Sequence, residues 1–389
     1  MSNISAKTNL LLCVLSAAAF GQTFTVEPVA NPSAAGSVQA NFSATADGSP
    51  LLSWIETQKD GSYILKYSTR RGAQWAEART IAAHRHFFRQ PAESPEVITL
   101  SDGTLLAHWV EMPDEASEAE FTYVSVSKDG LKWTPPVLAH KDRSMVQHGL
   151  VSAVASGDKE VSLVWLEALH GEDDPVALKR TVFSAEGKVG KEELMAPDVC
   201  GCCPTSIVKT ARGLLVAYRD HTKEDVRDIA VTRYENGKWS PSKILNPDKW
   251  KINACPTNAA AAGAQGDKVA VAWYTGAQDM PRTQIAFSSD SGSTFGKPIL
   301  VSTGHSFGYA SLALNSEGNA LVSWLEQGKD TTRLLTRQIT AAGVAGPVTQ
   351  VAQGPKQSLG YPRLVQAGKE TWIAWGNSPS AKVQTARLK

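Results

Sequence analysis

The 389 residues carry 39 Lys plus Arg against 38 Asp plus Glu, a formal net charge of +1. With no basic block, that balance argues against nucleic acid or an anionic membrane surface as the partner. Eleven Trp beside 30 Gly and 20 Pro point to many short strands and turns rather than helices.

Lys7 precedes the apolar run Leu10-Leu11-Leu12-Cys13-Val14-Leu15, and Ser16-Ala17-Ala18-Ala19-Phe20-Gly21 follows it. A positive start, a short apolar core and small residues before Gln22 predict a secretory signal peptide over residues 1–21. Leu12 is too large before Cys13 for a lipoprotein signal. The run is too short to span a bilayer, and no later stretch does better. The expectation is an exported, soluble chain, periplasmic or secreted, whose residues 22–389 form one domain.

One apolar strand then recurs along the chain. Its aromatic residue falls at Trp54, Trp109, Trp165, Tyr218, Trp273, Trp324 and Trp375, at intervals of 55, 56, 53, 55, 51 and 51 residues. A regular period of this size signals a repeat architecture. Each copy follows a strand and a turn, as in Val97-Ile98-Thr99-Leu100 with Ser101-Asp102-Gly103, and precedes a polar loop and a hairpin. Four strands per repeat closing in a ring predict an all-β, seven-bladed propeller. The last repeat ends after three strands, so Thr23-Phe24-Thr25-Val26-Glu27-Pro28 is expected to complete it and latch the ring.

Some repeats carry a distinctive turn between third and fourth strands. Ser288-Ser289-Asp290-Ser291-Gly292-Ser293-Thr294-Phe295 matches the pattern Ser-x-Asp-x-Gly-x-Thr-aromatic throughout. Ser127-Lys128-Asp129-Gly130-Leu131-Lys132-Trp133 is one residue shorter, and Ser68 to Trp75 and Glu235 to Trp239 are worn copies. The chain thereby resembles the sialidase-like propellers with BNR, or Asp-box, repeats. In that family the Asp box is a folding device on the face opposite the active site. The resemblance therefore implies structural roles for Ser288, Asp290, Gly292, Thr294, Phe295, Asp129 and Trp133. Six blades, the number in sialidases, is the alternative ring.

The opposite, top face gathers the reactive side chains. His84, His86, His140, His148 and His305 lie in or beside loops leading into first strands, as do Cys200, Cys202, Cys203 and Cys255. His170 and His221 lie in second-to-third loops, whereas His108 sits within a strand. Three readings of the thiols stand open. An even number of cysteines in an exported chain favours disulfides, with Cys202 or Cys203 joined to Cys255 across blades 4 and 5. Thiolates with imidazole, here His148 or His305, would suit copper or zinc. Cys200-Gly201-Cys202 would suit redox exchange if one thiol is acidic.

The sialidase resemblance also implies three arginines for a substrate carboxylate, a Tyr–Glu nucleophile pair, an Asp acid and an Arg-Ile-Pro motif. The first inner strand here, Ser37-Val38-Gln39-Ala40-Asn41, has no arginine and no such motif. Tyr309, Tyr361, Arg363, Arg219 and Arg89 remain as candidate ligand contacts, and no catalytic residue is assigned. Glu56, Glu111, Glu167, Asp220 and Glu326 each follow the repeated aromatic by two residues, and a carboxylate present in five of seven repeats points to a hydrogen bonder that serves the repeat. The expected function is a binding protein. Its top-face cysteines and histidines hold copper or zinc, or are cross-linked to shape a pocket for a small molecule or glycan. A glycoside hydrolase or lectin-like glycan binder using the central pocket is the alternative. No feature specifies a protein partner.

Overall fold

The computed structural model describes residues 24–114, 117–169, 175–378 and 382–389. The leader expected over residues 1–21, with Cys13, lies outside the described residues, and so does His170.

Seven antiparallel sheets, of four or five strands each, form the seven blades. Their innermost strands are Ser37–Ala44, Glu96–Thr99, His148–Gly157, Ser206–Thr210, Ala260–Gln265, Ser306–Leu314 and Arg363–Ala367. Each touches the innermost strand of the next blade, and the seventh touches the first, so the ring is closed. Among the described residues the one helical element is the 3-10 turn Ala277–Asp279. Blade 7 takes its outer strand from the start of the described chain: Val26–Pro28 pairs antiparallel with Lys382–Leu388. Arg387 and Lys389 both reach Glu27 at 2.7 Å, adding charge to that latch.

The repeated strand is the second in each blade. Its neighbours cover both faces, so it reads as a continuous apolar run: every residue of Leu105–Glu111 is buried. Trp54, Trp109, Trp165, Trp273 and Trp324 are all at most 1% exposed. Truncating one to Ala would cost about 3–5 kcal/mol.

Burying an indole leaves its N–H to be satisfied, and the repeat supplies the acceptor. Trp54, Trp165 and Trp324 donate at 3.0 Å to Glu56, Glu167 and Glu326 in their own strands. Trp109 donates likewise to Glu111. A basic residue closes each clip: Lys66, Arg85, Lys179 and Arg333 in the same order. The recurring carboxylates therefore belong to the frame in these four blades.

The turn at Ser288 to Phe295 shows why its pattern is strict. Asp290 accepts from the Thr294 amide at 2.9 Å and from the Ser288 and Thr294 hydroxyls at 2.7 Å. Burial raises its carboxyl, but these donors outweigh that and hold it at about 2. Gly292 has φ +79°, and a Cβ there would lie 2.2 Å from Leu215 in blade 4. Phe295 packs into the cluster between those blades. In blade 2, Asp129 accepts from the amides of Leu131 and Lys132 at 2.8 Å, and Trp133 meets Tyr67 edge-on at 5.9 Å.

Candidate functional site

Loops leading into innermost strands and loops joining second to third strands share one face. Over blades 2 to 5 they enclose a cavity of about 1090 Å³. One wall comes from blades 2 and 3: Phe88, Gln90, Glu118, Glu120, Met145 and Gln147. Asp198, at the end of the outer strand of blade 3, lines the cavity together with His221, Lys223 and Arg227 of blade 4. Cys202, Cys255 and Thr257 line it where blade 4 meets blade 5.

The cysteine loop leaves the outer strand of blade 3 at Val199 and enters blade 4 at Ser206. Cys200 is fixed by its amide, which donates to the Arg219 carbonyl at 3.0 Å. Cys202 is bonded to Cys255, stapling the lead-in loops of blades 4 and 5. Cys200 and Cys203 are free and buried. The Cys200 sulfur lies 3.5 Å from that of Cys203, 3.7 Å from that of Cys202 and 3.2 Å from Arg227 Nη1. The Cys203 thiol as hydrogen-bond donor lowers Cys200 most; burial opposes this, Arg227 adds to it, and Cys200 falls to about 5. Burial and the charge of Cys200 push Cys203 far up. One thiolate, one thiol and one disulfide thus share a single cluster.

Two carboxyls are buried here: Glu120, on the cavity wall, is 8% exposed, and Glu93, outside the lining, 2%. Glu93 Oε2 accepts from the Val151 amide at 3.2 Å, but its Oε1 and Glu120 Oε2 have no hydrogen-bond partner. Burial raises Glu93 to about 7. Burial, with the charge of Glu93 added, raises Glu120 to about 8. Near neutrality Glu120 therefore keeps a proton at the cavity wall. These two residues stand in loops of blade 2 with no motif around them. The one signal in the sequence was their place in top-face loops.

The histidines split into two groups. His140 and His148 are buried and stacked at 4.0 Å between rings. His140 accepts from the Thr122 amide at Nε2 and donates from Nδ1 to the Asp142 carbonyl. Burial and the neighbouring His148 push it down to about 4. His148 Nδ1 lies 3.2 Å from Glu167, the clip carboxylate of blade 3, and Asp142 completes that polar group. His84, His86 and His305 are exposed. Among the described residues, neither His148 nor His305 joins the thiols in a cluster of metal-ligand atoms. His221 lies within 3.5 Å of Asp198 and 3.3 Å of Asp225 and lines the cavity.

The other candidate contacts lie around the ring axis or outside it. Arg219 is 1% exposed and donates to the carbonyls of Asn258, Arg227 and Tyr274, tying blade 4 to blade 5. Tyr309, at a bulge with φ +55°, stacks on Tyr361 at 3.8 Å. Tyr361 donates to the Thr257 carbonyl, and half-buried Arg363 donates to Ser94 at 3.2 Å. Arg89 is exposed and lies over the Tyr63 ring at 3.9 Å.

The family model described as BNR repeat-like domain matches residues 51–371. No curated protein sequence gives a significant match. Solved structures with the same fold include the BP39L lectin of Burkholderia pseudomallei, at TM-score 0.63 and 12% identity, covering 91% of this chain and 96% of the lectin. A polysaccharide lyase of family PL25, an ulvan lyase bound to a GlcA–Rha3S unit, gives 0.57 at 11% identity over 93% and 94% of the chains. The K499G mutant of NanB sialidase from Streptococcus pneumoniae gives 0.50 at 10% identity over 93% and 91%. At these identities the likeness is one of fold.

Proposed function

The chain belongs to the BNR repeat-like domain family, and on that premise we propose that it is an exported saccharide-binding protein whose ligand occupies the cavity over blades 2 to 5. One observation carries the reading: a cavity of about 1090 Å³ lined by Phe88 together with many hydrogen-bonding side chains. Ligand sites are concave, with an apolar lining and a few convergent polar groups. Sugar hydroxyls need both donors and acceptors. Gln90, Gln147, His221, Lys223 and Arg227 supply the donors, and Glu118 and Asp198 the acceptors. Glu120, protonated near neutrality, adds a carboxylic donor that an aqueous carboxylate could not offer. The Cys202–Cys255 staple sets the spacing of blades 4 and 5 at the rim. The lectin, lyase and sialidase that share the fold handle saccharides by name, which supports the reading without carrying it, since fold does not imply function.

The test is binding of the purified mature chain to an array of neutral, sulfated and uronic oligosaccharides. At least one class should bind, and Lys223→Ala and Phe88→Ala should each weaken it about tenfold, or about 1.4 kcal/mol. Binding to none, or variants equal to wild type, would overturn the proposal. Release of a product sugar would turn it toward the hydrolase reading. N-terminal sequencing of secreted protein, expected to start at Gln22, tests the export.

Copper or zinc is the second reading, favoured by one geometric observation. Sulfurs 3.5 and 3.7 Å apart match the edge of a tetrahedron built on metal–sulfur bonds of about 2.3 Å. With the staple reduced, Cys200, Cys202, Cys203 and Cys255 would be the ligands. Elemental analysis of the reduced chain tests it, with one metal per chain expected and none contradicting it.

A further inference from the structure

The cluster holds a dithiol and a disulfide within sulfur contact, and the two differ in access. Cys200 and Cys203 are each 1% exposed. The Cys202–Cys255 bond lines the cavity. Cys200 is the sulfur common to both: 3.5 Å from Cys203, 3.7 Å from Cys202, with the Arg227 guanidinium at 3.2 Å to support negative charge on it. Thiol–disulfide exchange needs a thiolate within reach of a disulfide sulfur and a second thiol to resolve the product. Both are in place.

We propose that the four cysteines form a dithiol–disulfide relay that carries two electrons from the buried Cys200–Cys203 pair to a small organic disulfide entering the cavity. In the first step the Cys200 thiolate attacks Cys202 Sγ; the Cys200–Cys202 bond forms, the Cys202–Cys255 bond breaks, and Cys255 leaves as a thiolate. Cys203 then gives up its proton and attacks Cys200 Sγ, forming Cys200–Cys203 and freeing Cys202. This exchange moves the disulfide inward without net oxidation. Cys255 next attacks the substrate disulfide and releases one thiol. Cys202 resolves the mixed disulfide, releases the second thiol and restores Cys202–Cys255. The sum is oxidation of the Cys200–Cys203 dithiol and reduction of one substrate disulfide to two thiols. The relay and the saccharide cavity share an opening, but neither depends on the other.

The test uses metal-free, folded protein and dithiobis(nitrobenzoate) as the substrate disulfide. Wild type should release two equivalents of thionitrobenzoate per chain and end with a Cys200–Cys203 link in its peptide map. Cys203→Ser should stop at one equivalent, because nothing resolves Cys200 and Cys202 stays occupied. Cys200→Ser should release none while folded. The double variant Cys202→Ser/Cys255→Ser keeps the buried dithiol but has lost its outlet, and it too should release none. Two results would overturn the relay: no release from wild type, or equal release from wild type and the double variant, meaning that the reagent reaches the buried thiols directly.

Discussion

Blades 3 and 4 are neighbours built on the same repeat, and they differ at the point where the repeat closes on itself. In blade 3, Trp165 donates to Glu167, Lys179 pairs with that carboxylate and His148 packs beside it. Burial alone would raise Glu167, but His148, Lys179 and Trp165 outweigh it and hold the carboxyl at about 2. In blade 4 the aromatic is Tyr218, whose hydroxyl donates to Ser242 at 2.6 Å instead. Asp220 has no indole to accept from, and burial raises it. Arg219 turns toward blade 5, and the adjoining loops carry the cysteines, His221 and Arg227. At these two positions, then, the carboxylate of blade 3 is spent on the frame, whereas that of blade 4 has neither indole nor lysine to hold it.

The largest expected effect breaks the cross-link that blade 4 has in place of a clip. Cys202 and Cys255 are 53 residues apart, and opening a loop of that size costs about 4 kcal/mol in chain entropy. Denaturant unfolding of Cys202→Ser/Cys255→Ser should show a loss of that order. Glu167→Ala should cost about 3 kcal/mol, because it strands the buried indole N–H of Trp165 and leaves half-buried Lys179 without its partner. Asp220→Asn, its counterpart in blade 4, should cost less than about 1 kcal/mol. Equal losses at the two positions would erase the contrast between the blades.

Acidity sharpens the contrast from the other side. Glu167 has a depressed value, so its contribution is present above about 4.5 and is lost as pH falls toward 2. Glu93 and Glu120 are raised, so their contribution is present below about 4.5 and is lost as pH climbs through 7 and 8. Wild-type stability should therefore fall between pH 5 and 8. Glu120→Gln should remove on the order of 3 kcal/mol of that fall. An unchanged slope would mean that Glu120 is not the group concerned.

The ring was legible because its signal is periodic. Seven aromatics at nearly equal spacing specify seven second strands, and a last repeat one strand short specifies the latch at Val26–Pro28. The role of Glu56, Glu111, Glu167 and Glu326 was legible for the same reason, since a group present in most repeats serves the repeat. The cavity was only partly legible. Sequence placed the cysteines on one face but left Cys202 and Cys203 equal as partners for Cys255. The difference is one of direction at the strand start: Cys203 is 1% exposed, whereas Cys202 lines the cavity. Glu93 and Glu120 carry no local pattern, because their lowered acidity arises from burial and, for Glu120, from the neighbouring Glu93. Arg219 stood among the candidate ligand contacts. Its partners are backbone carbonyls of the next blade, which no local pattern reveals.

The most direct measurement of the central claim is hydrogen exchange with and without the tightest-binding oligosaccharide from the array. Protection is expected in the top-face loops around Phe88, Glu120, Gln147, Cys202 and Lys223, with blades 6 and 7 unchanged. Protection centred on Tyr309, Tyr361 and Arg363, or on the Asp-box turn at Asp290, would contradict it.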